Sequence, residues 1–230
     1  MVSYERLEDR GILNAVFNII GKQDIYSQDT RNCFAEIKDF SSSLYEHSLS
    51  VAFLSVLIGM GIGKVNEELR ELYIAALLHD YGKIFIPPNI LDKTGTLTKD
   101  ERKIVELHSI IGPFYLQKLT MLNDNIINAI LDHHEKLDGS GYGLHKKDSD
   151  ISINGKIIAI SDVYDAMITD RVYRKGLPRE CAVKYLQDKA GIYFEKSLID
   201  LFISLIDDLE VERMERIFKD KFISLDYQAV

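Results

Sequence analysis

Residues 69–80 read LRELYIAALLHD, and this stretch decides the fold. Apolar side chains recur in it at steps of three and four residues, which is the spacing of one helix face: Leu69, Leu72, Tyr73 and Ala76. The stretch ends in His79-Asp80, an imidazole beside a carboxylate, and Gly82 and Pro87-Pro88 then predict an irregular loop. It therefore predicts a buried helix whose end presents two side chains that can bind a metal.

The same helical spacing extends from this stretch towards the amino terminus. It predicts a first helix within residues 4–22 and a polar connection over residues 22–32. The run Ser41-Ser42-Ser43 offers capping groups for the next helix, which places His47 on its apolar face and ends at glycines 59–63.

Towards the carboxyl terminus, the predicted helices again carry histidine or aspartate. Residues 98–101 have the pattern of a capping box, which predicts a helix that contains His108 and ends or bends at Gly112-Pro113. The spacing of apolar residues predicts two further helices. His133-His134 lies at the end of the first, and Asp162 lies on the apolar face of the second. Since no segment shows the alternation of a strand, we expect an all-α bundle.

Seven side chains of metal-binding type thus lie on apolar faces or at the ends of predicted helices: His47, His79, Asp80, His108, His133, His134 and Asp162. Taken singly, a buried histidine is more often a satisfied core residue, and a His-Asp pair at a helix end is more often an ion pair. Burying all seven without partners would cost on the order of several kcal/mol for each uncompensated charge, and a divalent cation removes that cost. The set therefore predicts a metal site.

The number of candidate ligands bears on the number of metals. Seven are too many for one tetrahedral ion. They suit two ions roughly 3.5–4 Å apart, bridged by a carboxylate and a hydroxide, an arrangement that activates water against phosphorus. We therefore expect a metal-dependent hydrolase of phosphate esters. Histidine-rich mixed sites favour iron or manganese here, with zinc and nickel as alternatives.

Composition excludes several classes of function. The net charge of −8 over 230 residues disfavours binding to nucleic-acid polymers and to anionic membranes. No apolar run approaches the roughly 18–20 residues of a membrane helix, and residues 1–6 lack the pattern of a signal peptide. Cys33 and Cys181 lie far apart and are expected as reduced thiols. We expect a cytoplasmic protein without membrane insertion.

The pattern as a whole resembles the HD-GYP family, a branch of the HD-domain metal-dependent phosphohydrolases. The resemblance runs from about residue 47 to residue 205, and HHEKLDGSGY at 133–142 matches the family motif without a gap. The other matching segments are residues 47–48, 75–84, 90–91, 95–98, 108, 160–166 and 170–174. The resemblance implies an HD-domain helical bundle with a buried binuclear metal site. We place this catalytic domain at residues 41–206, between an accessory helical segment at 1–40 and a helical extension at 207–230.

The resemblance also implies an activity, the hydrolysis of cyclic di-GMP to the linear dinucleotide or onward to GMP. It assigns His47, His79, Asp80 and Asp162 to one metal, with Asp80 bridging, and His108, His133 and His134 to the other. Asp80 and Lys83 are the implied catalytic residues, and Lys83 would contact the phosphate or help the departing alkoxide. The implied substrate contacts are Lys83, Tyr142, Asp165, Arg171 and Arg174.

The chain departs from the family pattern at several positions. Gly143 stands in place of the family proline, which changes the backbone choices of the Gly141-Tyr142-Gly143 loop. Ser43 occupies the position of the glutamate that members with a third metal carry, so we expect two metals. The other departures are Ser50 and Lys156, where many relatives have arginine, and Tyr193-Phe194-Glu195 in place of His-Phe-Asp.

Two other functions fit the same residues. One keeps the metal site and changes the substrate to another nucleotide or cyclic nucleotide, including mixed cyclic GMP-AMP. The other is a non-catalytic sensor that binds the messenger, and its support is the altered Gly141-Tyr142-Gly143 loop. The expected partners are a cyclic dinucleotide, a second copy of the chain in a homodimer, and a signalling protein that contacts this loop.

Overall fold

The structure is a computed structural model that describes residues 7–20, 27–170 and 175–226. These residues form an all-α bundle and contain no β-strand beyond a single bridge between Ala190 and Phe194. The helices are α1 (Leu7–Ile20), α2 (Gln28–Phe40), α3 (Ser42–Gly61), α4 (Asn66–Leu78), α5 (Pro88–Leu91), α6 (Lys99–Glu106), α7 (His108–Leu119), α8 (Asp124–Asp132), α9 (Ile153–Ile168), α10 (Arg179–Lys189), α11 (Lys196–Asp208) and α12 (Val211–Asp226).

Helix α3 is the centre of the bundle. The Ser41 side chain caps it by accepting a hydrogen bond from the Leu44 amide at 3.2 Å, as its sequence predicts. Every residue from 47 to 59 is buried, because α2, α4, α9, α11 and α12 pack around it. Within the described part of the chain, α3 alone is long and apolar enough to cross a membrane, but 83% of that window lies inside the protein. This burial is that of a core helix.

Helix α2 lies where the sequence predicts a polar connection, so that prediction is wrong over residues 28–32. Ser27 caps the helix by accepting from the Thr30 amide at 3.2 Å. Its buried face is narrow and consists of Thr30, Cys33, Phe34 and Ile37. The surrounding charged residues mask this short stripe in the sequence, although its steps of three and four are helical. Residues 21–26 of the predicted connection lie outside the described residues.

The helix predicted to run through His108 is in fact two helices. The capping box of Thr98 and Glu101 is confirmed, with both reciprocal hydrogen bonds present. However, α6 ends at Glu106, α7 begins at His108, and Pro113 lies inside α7. Gly112 therefore ends no helix. It approaches Gly82 so closely that a Cβ on Gly82 would lie 2.1 Å from the His108 carbonyl oxygen. This approach seats the start of α7 against the turn that follows His79-Asp80.

The terminal helices pack on the same core as the central ones. Val16 of α1 and Phe218 of α12 are fully buried, and α12 contacts α3. The Phe218 ring stacks on Phe53 with a centroid distance of 5.3 Å. The boundaries after residues 40 and 206 stay predictions, and the helices on either side of them share one hydrophobic core.

Candidate metal centre

Five helices bring the seven predicted ligands to one place. His47 lies in the second turn of α3, and Asp162 lies in the middle of α9. The other five stand at helix ends: His79 and Asp80 follow α4, His108 opens α7, and His133 and His134 follow α8. Helix ends suit this task, because the chain there can turn a side chain towards the bundle axis without continuing the helix. Six of the seven are buried, and His134 is partly buried.

Asp80 lies between two groups of donor atoms. Its Oδ2 is 3.3 Å from His79 Nε2 and 3.7 Å from His47 Nε2. Its Oδ1 is 3.2 Å from His108 Nε2 and 3.9 Å from His133 Nε2. Each oxygen therefore faces a different set of histidines, which is the geometry of a carboxylate that can bridge two ions.

Asp162 closes the cluster from the α9 side. Its Oδ1 is 3.1 Å from His47 Nε2 and 4.0 Å from His79 Nε2. Its other oxygen, Oδ2, is 3.9 Å from His134 Nδ1. The donor atoms form two groups that share Asp80, one of His47, His79 and Asp80 and one of Asp80, His108, His133 and His134.

Three histidines are oriented by the backbone of their own helix end. The Nδ1 atoms of His79, His108 and His133 lie 2.7, 2.6 and 2.5 Å from the carbonyl oxygens of the residues three positions earlier. Because a carbonyl accepts, Nδ1 carries the proton in each ring and Nε2 presents a lone pair to the cluster. This arrangement is the usual way in which a protein fixes the tautomer of a metal-binding histidine.

Several inward-facing atoms lack partners of their own. His108 Nε2 lies 3.4 Å from His133 Nε2, so the lone pairs of these two rings face each other, and it lies 3.1 Å from His134 Nε2. His47 Nε2, His79 Nε2 and Asp80 Oδ1 are buried without a hydrogen-bond partner among the described residues. Converging unpaired donors of this kind are costly unless a cation lies between them. The residues present therefore fit a divalent-metal centre.

The histidines respond to this environment in opposite directions. Burial lowers the pKa of His133 to about 3, assisted by the charges of His79 and His108. The pKa of His134 is lowered well below its ordinary value, again by burial first and then by His133. Burial also acts to lower the pKa of His47, but the carboxylates of Asp162 and Asp165 face its two ring nitrogens and would accept hydrogen bonds from the protonated ring. They outweigh burial and raise that pKa to about 9. Neutral imidazole at His133 and His134 is the form that binds a metal.

Both cluster carboxylates are ionised. Burial opposes this, yet Lys83 and then His79 hold the pKa of Asp80 well below its usual range. The hydrogen bond and charge of His47 likewise lower the pKa of Asp162 against the effect of burial. Two carboxylates next to the neutral rings of His133 and His134 give the cluster negative charge, which favours a bound divalent cation.

Asp165 lies behind His47. Its Oδ2 is 2.5 Å from His47 Nδ1, and its Oδ1 accepts from the Thr169 hydroxyl at 3.0 Å. The side chain is buried, and both oxygens are engaged. These contacts support an orienting role for Asp165 and place it away from any open surface where a substrate could reach it. The sequence signal for this role is its spacing, since it follows Asp162 by three positions on the same helix.

The remaining predicted contacts divide into two groups. Lys83 donates to Asp80 Oδ2, and the Tyr142 ring lies 4.4 Å from the His134 ring, so both stand at the cluster. Burial, together with the charges of Asp162 and Asp80, raises the pKa of Tyr142, which keeps its hydroxyl protonated. Arg171 and Arg174 lie outside the described residues.

Gly143 has a backbone that proline cannot adopt. Its φ of +116° lies in the region that favours glycine, whereas proline is fixed near −65°. The loop therefore takes a course that the family Gly-Tyr-Pro sequence excludes.

Two of the other positions that differ from the family pattern have partners of their own. Ser50 Oγ lies 2.9 Å from Glu215 Oε1, and Lys156 pairs with Asp148 and Glu195. Ser43 is exposed.

Comparison with known proteins agrees with this architecture. The family model described as HD domain matches residues 34–198. A cyclic di-GMP phosphodiesterase of Thermotoga maritima is 34% identical over 190 residues, which cover 80% of this chain and 50% of that protein. A 3'3'-cGAMP-specific phosphodiesterase of Vibrio cholerae is 32% identical over 72% of this chain and 36% of its own length.

A solved structure shows the same fold. Bd1817, an HDG"Y"P protein from Bdellovibrio bacteriovorus, superposes with a TM-score of 0.62 at 20% identity, covering 87% of this chain and 60% of that one. The chain spans about half the length of the Thermotoga protein. By the extent of the family match, the chain belongs to the HD domain family and is a member of its HD-GYP branch.

Proposed function

We propose that this chain is a metal-dependent phosphodiesterase that hydrolyses cyclic di-GMP to the linear dinucleotide or to GMP. The observation that carries the proposal is the convergence of seven nitrogen- and oxygen-bearing side chains on one buried point, where Asp80 faces histidines on both sides. The Thermotoga relative is a cyclic di-GMP phosphodiesterase, which supports the choice of substrate.

Each side chain of the cluster has a role in this proposal. His47, His79 and Asp162 would hold one cation, His108, His133 and His134 the other, and Asp80 would be shared. Bound divalent cations would lower the pKa of a water molecule and offset charge on the phosphoryl oxygens. Iron or manganese fits this mixed nitrogen and oxygen set, and zinc and nickel are the alternatives.

Among the residues that the structure describes, Lys83 is the cation best placed to meet the substrate. Its ammonium group already pairs with Asp80, and its side chain is 17% exposed, so it lies between the cluster and solvent. A phosphate that enters the cluster would replace water around this group and gain a charge-assisted hydrogen bond. Protonated Lys83 would also stabilise the departing alkoxide. Tyr142, against His134, would form one wall of the same entrance.

A second substrate deserves a direct test, because the Vibrio relative acts on 3'3'-cGAMP. The two cyclic dinucleotides share both phosphodiester linkages and differ in one purine base. The seven cluster residues would hold the cations that meet the phosphate, and so would serve either molecule. Base selection would depend on other residues, and the family resemblance implies Arg171 and Arg174 among them.

The experiment is a hydrolysis panel with the purified chain loaded with iron or manganese. Cyclic di-GMP, 3'3'-cGAMP and mononucleotides are supplied separately, and products are resolved by chromatography. We expect turnover of cyclic di-GMP, loss of at least 100-fold in Asp80→Asn, and no loss in Glu46→Gln. Glu46 is the matched control, because it is an exposed acid beside His47. Turnover of mononucleotides alone would contradict the proposal, and binding without turnover would favour the sensor function.

The cytoplasmic location, the homodimer and the division at residues 40 and 206 remain predictions from the sequence. The same holds for a signalling partner at the Gly141-Tyr142-Gly143 loop. Of these three residues, Gly141 is buried and the other two are partly buried, so a partner would meet only part of the loop.

A further inference from the structure

Two buried carboxylates stand on either side of the His133-His134 pair. Asp132 precedes the pair and is fully buried, and Glu135 follows it and is 3% exposed. Neither belongs to the seven-residue cluster. Buried carboxylates are uncommon unless they bind specific partners, so the partners of these two indicate what they do.

Asp132 connects the end of α8 to two distant points of the chain. Its Oδ1 is 2.7 Å from Lys146 Nζ, and its Oδ2 accepts from the Ser152 amide at 2.7 Å. Ser152 is also the N-cap of α9, the helix that carries Asp162. The packing here is tight, since a Cβ on Gly155 would lie 2.4 Å from Asp132 Cβ. Asp132 thus joins the histidine pair to the start of α9.

Glu135 binds the same loop at a second point. Its Oε1 accepts from the Leu144 amide at 2.6 Å. A Cβ on Gly143 would lie 3.2 Å from that oxygen and 3.5 Å from Ser109 Oγ of α7. The glycine at this position therefore allows the loop backbone to reach the carboxylate.

The loop held in this way covers the histidine pair. The Tyr142 amide donates to the His134 carbonyl at 3.2 Å. A Cβ on Gly141 would lie 2.4 Å from that carbonyl oxygen, so the loop runs directly over the backbone of His134. As a result, the Tyr142 ring lies against the His134 ring, with their centroids 4.4 Å apart, and limits how His134 can turn.

We propose that Asp132 and Glu135 are positioning residues that clamp residues 138–152 over His133-His134 and thereby fix His134 through Tyr142. The proposal rests on the proposed function, because it treats His134 as a ligand of the second cation. It adds that the Gly141-Tyr142-Gly143 loop is a fixed wall of the site, held by side chains outside the metal cluster.

The test uses two readouts on the full chain. The first is amide hydrogen exchange at Tyr142 and Leu144, which does not require metal. The second is the number and affinity of bound Mn²⁺ ions. The variants are Asp132→Leu and Glu135→Leu, which remove the acceptors, with Asp132→Asn and Glu135→Gln as conservative partners that keep an acceptor oxygen. Lys146→Met removes one partner at the protein surface, where folding is least affected. Asp150→Asn changes an exposed charge in the same loop and is the control.

We expect the leucine variants and Lys146→Met to raise exchange at the two loop amides at least tenfold, with exchange in the core of α9 unchanged. We expect the affinity for one Mn²⁺ to fall about 10–100-fold, the range found when groups that orient a ligand are removed. Affinity for the other ion is retained, and the conservative variants recover most of both effects. Unchanged loop exchange, or equal loss of both ions, would overturn the clamp. Absence of Mn²⁺ binding in the unaltered chain would instead count against the proposed function, while the exchange data still decide the clamp.

Discussion

At the scale of single residues, the candidate metal ligands could be predicted, and most of the groups that orient them could not. Imidazoles at apolar helical positions have a clear sequence signal, because few other reasons place so many of them there. All seven predicted ligands converge in the structure. Of the carboxylates behind them, Asp165 has a signal in its spacing from Asp162, whereas Asp132 looks in the sequence like any acid near a helix end. Their partners lie across the fold, so only tertiary structure shows what they bind.

Asp165→Asn tests the orientation of His47. The asparagine keeps the shape of the side chain but removes the charge that lies 2.5 Å from Nδ1. We expect the affinity for the ion at His47 to fall by about 10–100-fold with little change in unfolding temperature. Mn²⁺ titration followed by calorimetry measures this. Glu46→Gln, on the neighbouring exposed residue, should bind as the unaltered chain does; equal affinities in all three proteins would remove Asp165 from the account.

Gly143→Ala tests the backbone of the loop. A side chain at φ +116° is strained, and its Cβ would crowd Glu135. We expect a loss of about 1–2 kcal/mol in the free energy of unfolding, measured by urea denaturation. Gly95→Ala is the control, because a Cβ there meets nothing within 4 Å. If both variants lost the same free energy, the special conformation of Gly143 would be disproved.

At the scale of helices, the sequence predicts the N-caps of helices but does not predict where a helix is interrupted. Ser41 and the Thr98–Glu101 box act as their sequences indicate. The break between α6 and α7 has no local signal, since it follows from the close approach of Gly82 to the His108 carbonyl. The sequence does not predict helix α2, because its buried face consists of only four residues, which lie among charged neighbours. Local sequence patterns predict where a helix begins, whereas contacts between distant helices decide where a helix is interrupted.

The position of α2 makes a prediction about its cysteine. Burial, and then the charge of Glu36, raises the pKa of the Cys33 thiol above its ordinary value of 9.0. Since only the thiolate reacts, Cys33 should remain unmodified by iodoacetamide at pH 8, where the exposed Cys181 is alkylated. Mass spectrometry should find one adduct per chain, and the second only when pH rises well past 9 or the chain unfolds. Rapid double labelling of the folded chain at pH 8 would show that α2 is misplaced.

Phe218→Ala tests whether α12 belongs to the core. The ring is fully buried and contacts Phe53 and Phe17, so its removal should cost about 3–5 kcal/mol in the free energy of unfolding. Phe114 is 53% exposed, and Phe114→Ala should cost less than about 1 kcal/mol. Chemical denaturation of both variants gives the comparison. A small effect at Phe218 would mean that residues 207–230 are an appendage.

At the scale of the whole molecule, the bundle is a scaffold that brings five helices to one buried cluster. A chain with a net charge of −8 must bind an anionic substrate against its own field. Two divalent cations would add four positive charges at the point where the phosphate enters, and Lys83 adds another. Helical spacing predicts the fold class, and the family resemblance implies that Asp80 bridges; the distances from its two oxygens to two groups of histidines come only from the three-dimensional structure.

The most direct test of the central claim is an anomalous-scattering experiment on crystals of the chain loaded with manganese. The account predicts two peaks roughly 3.5–4 Å apart, with Asp80 between them. One peak should lie among His47, His79 and Asp162, and the other among His108, His133 and His134. No peak within this cluster, or peaks only at other positions, would contradict the account.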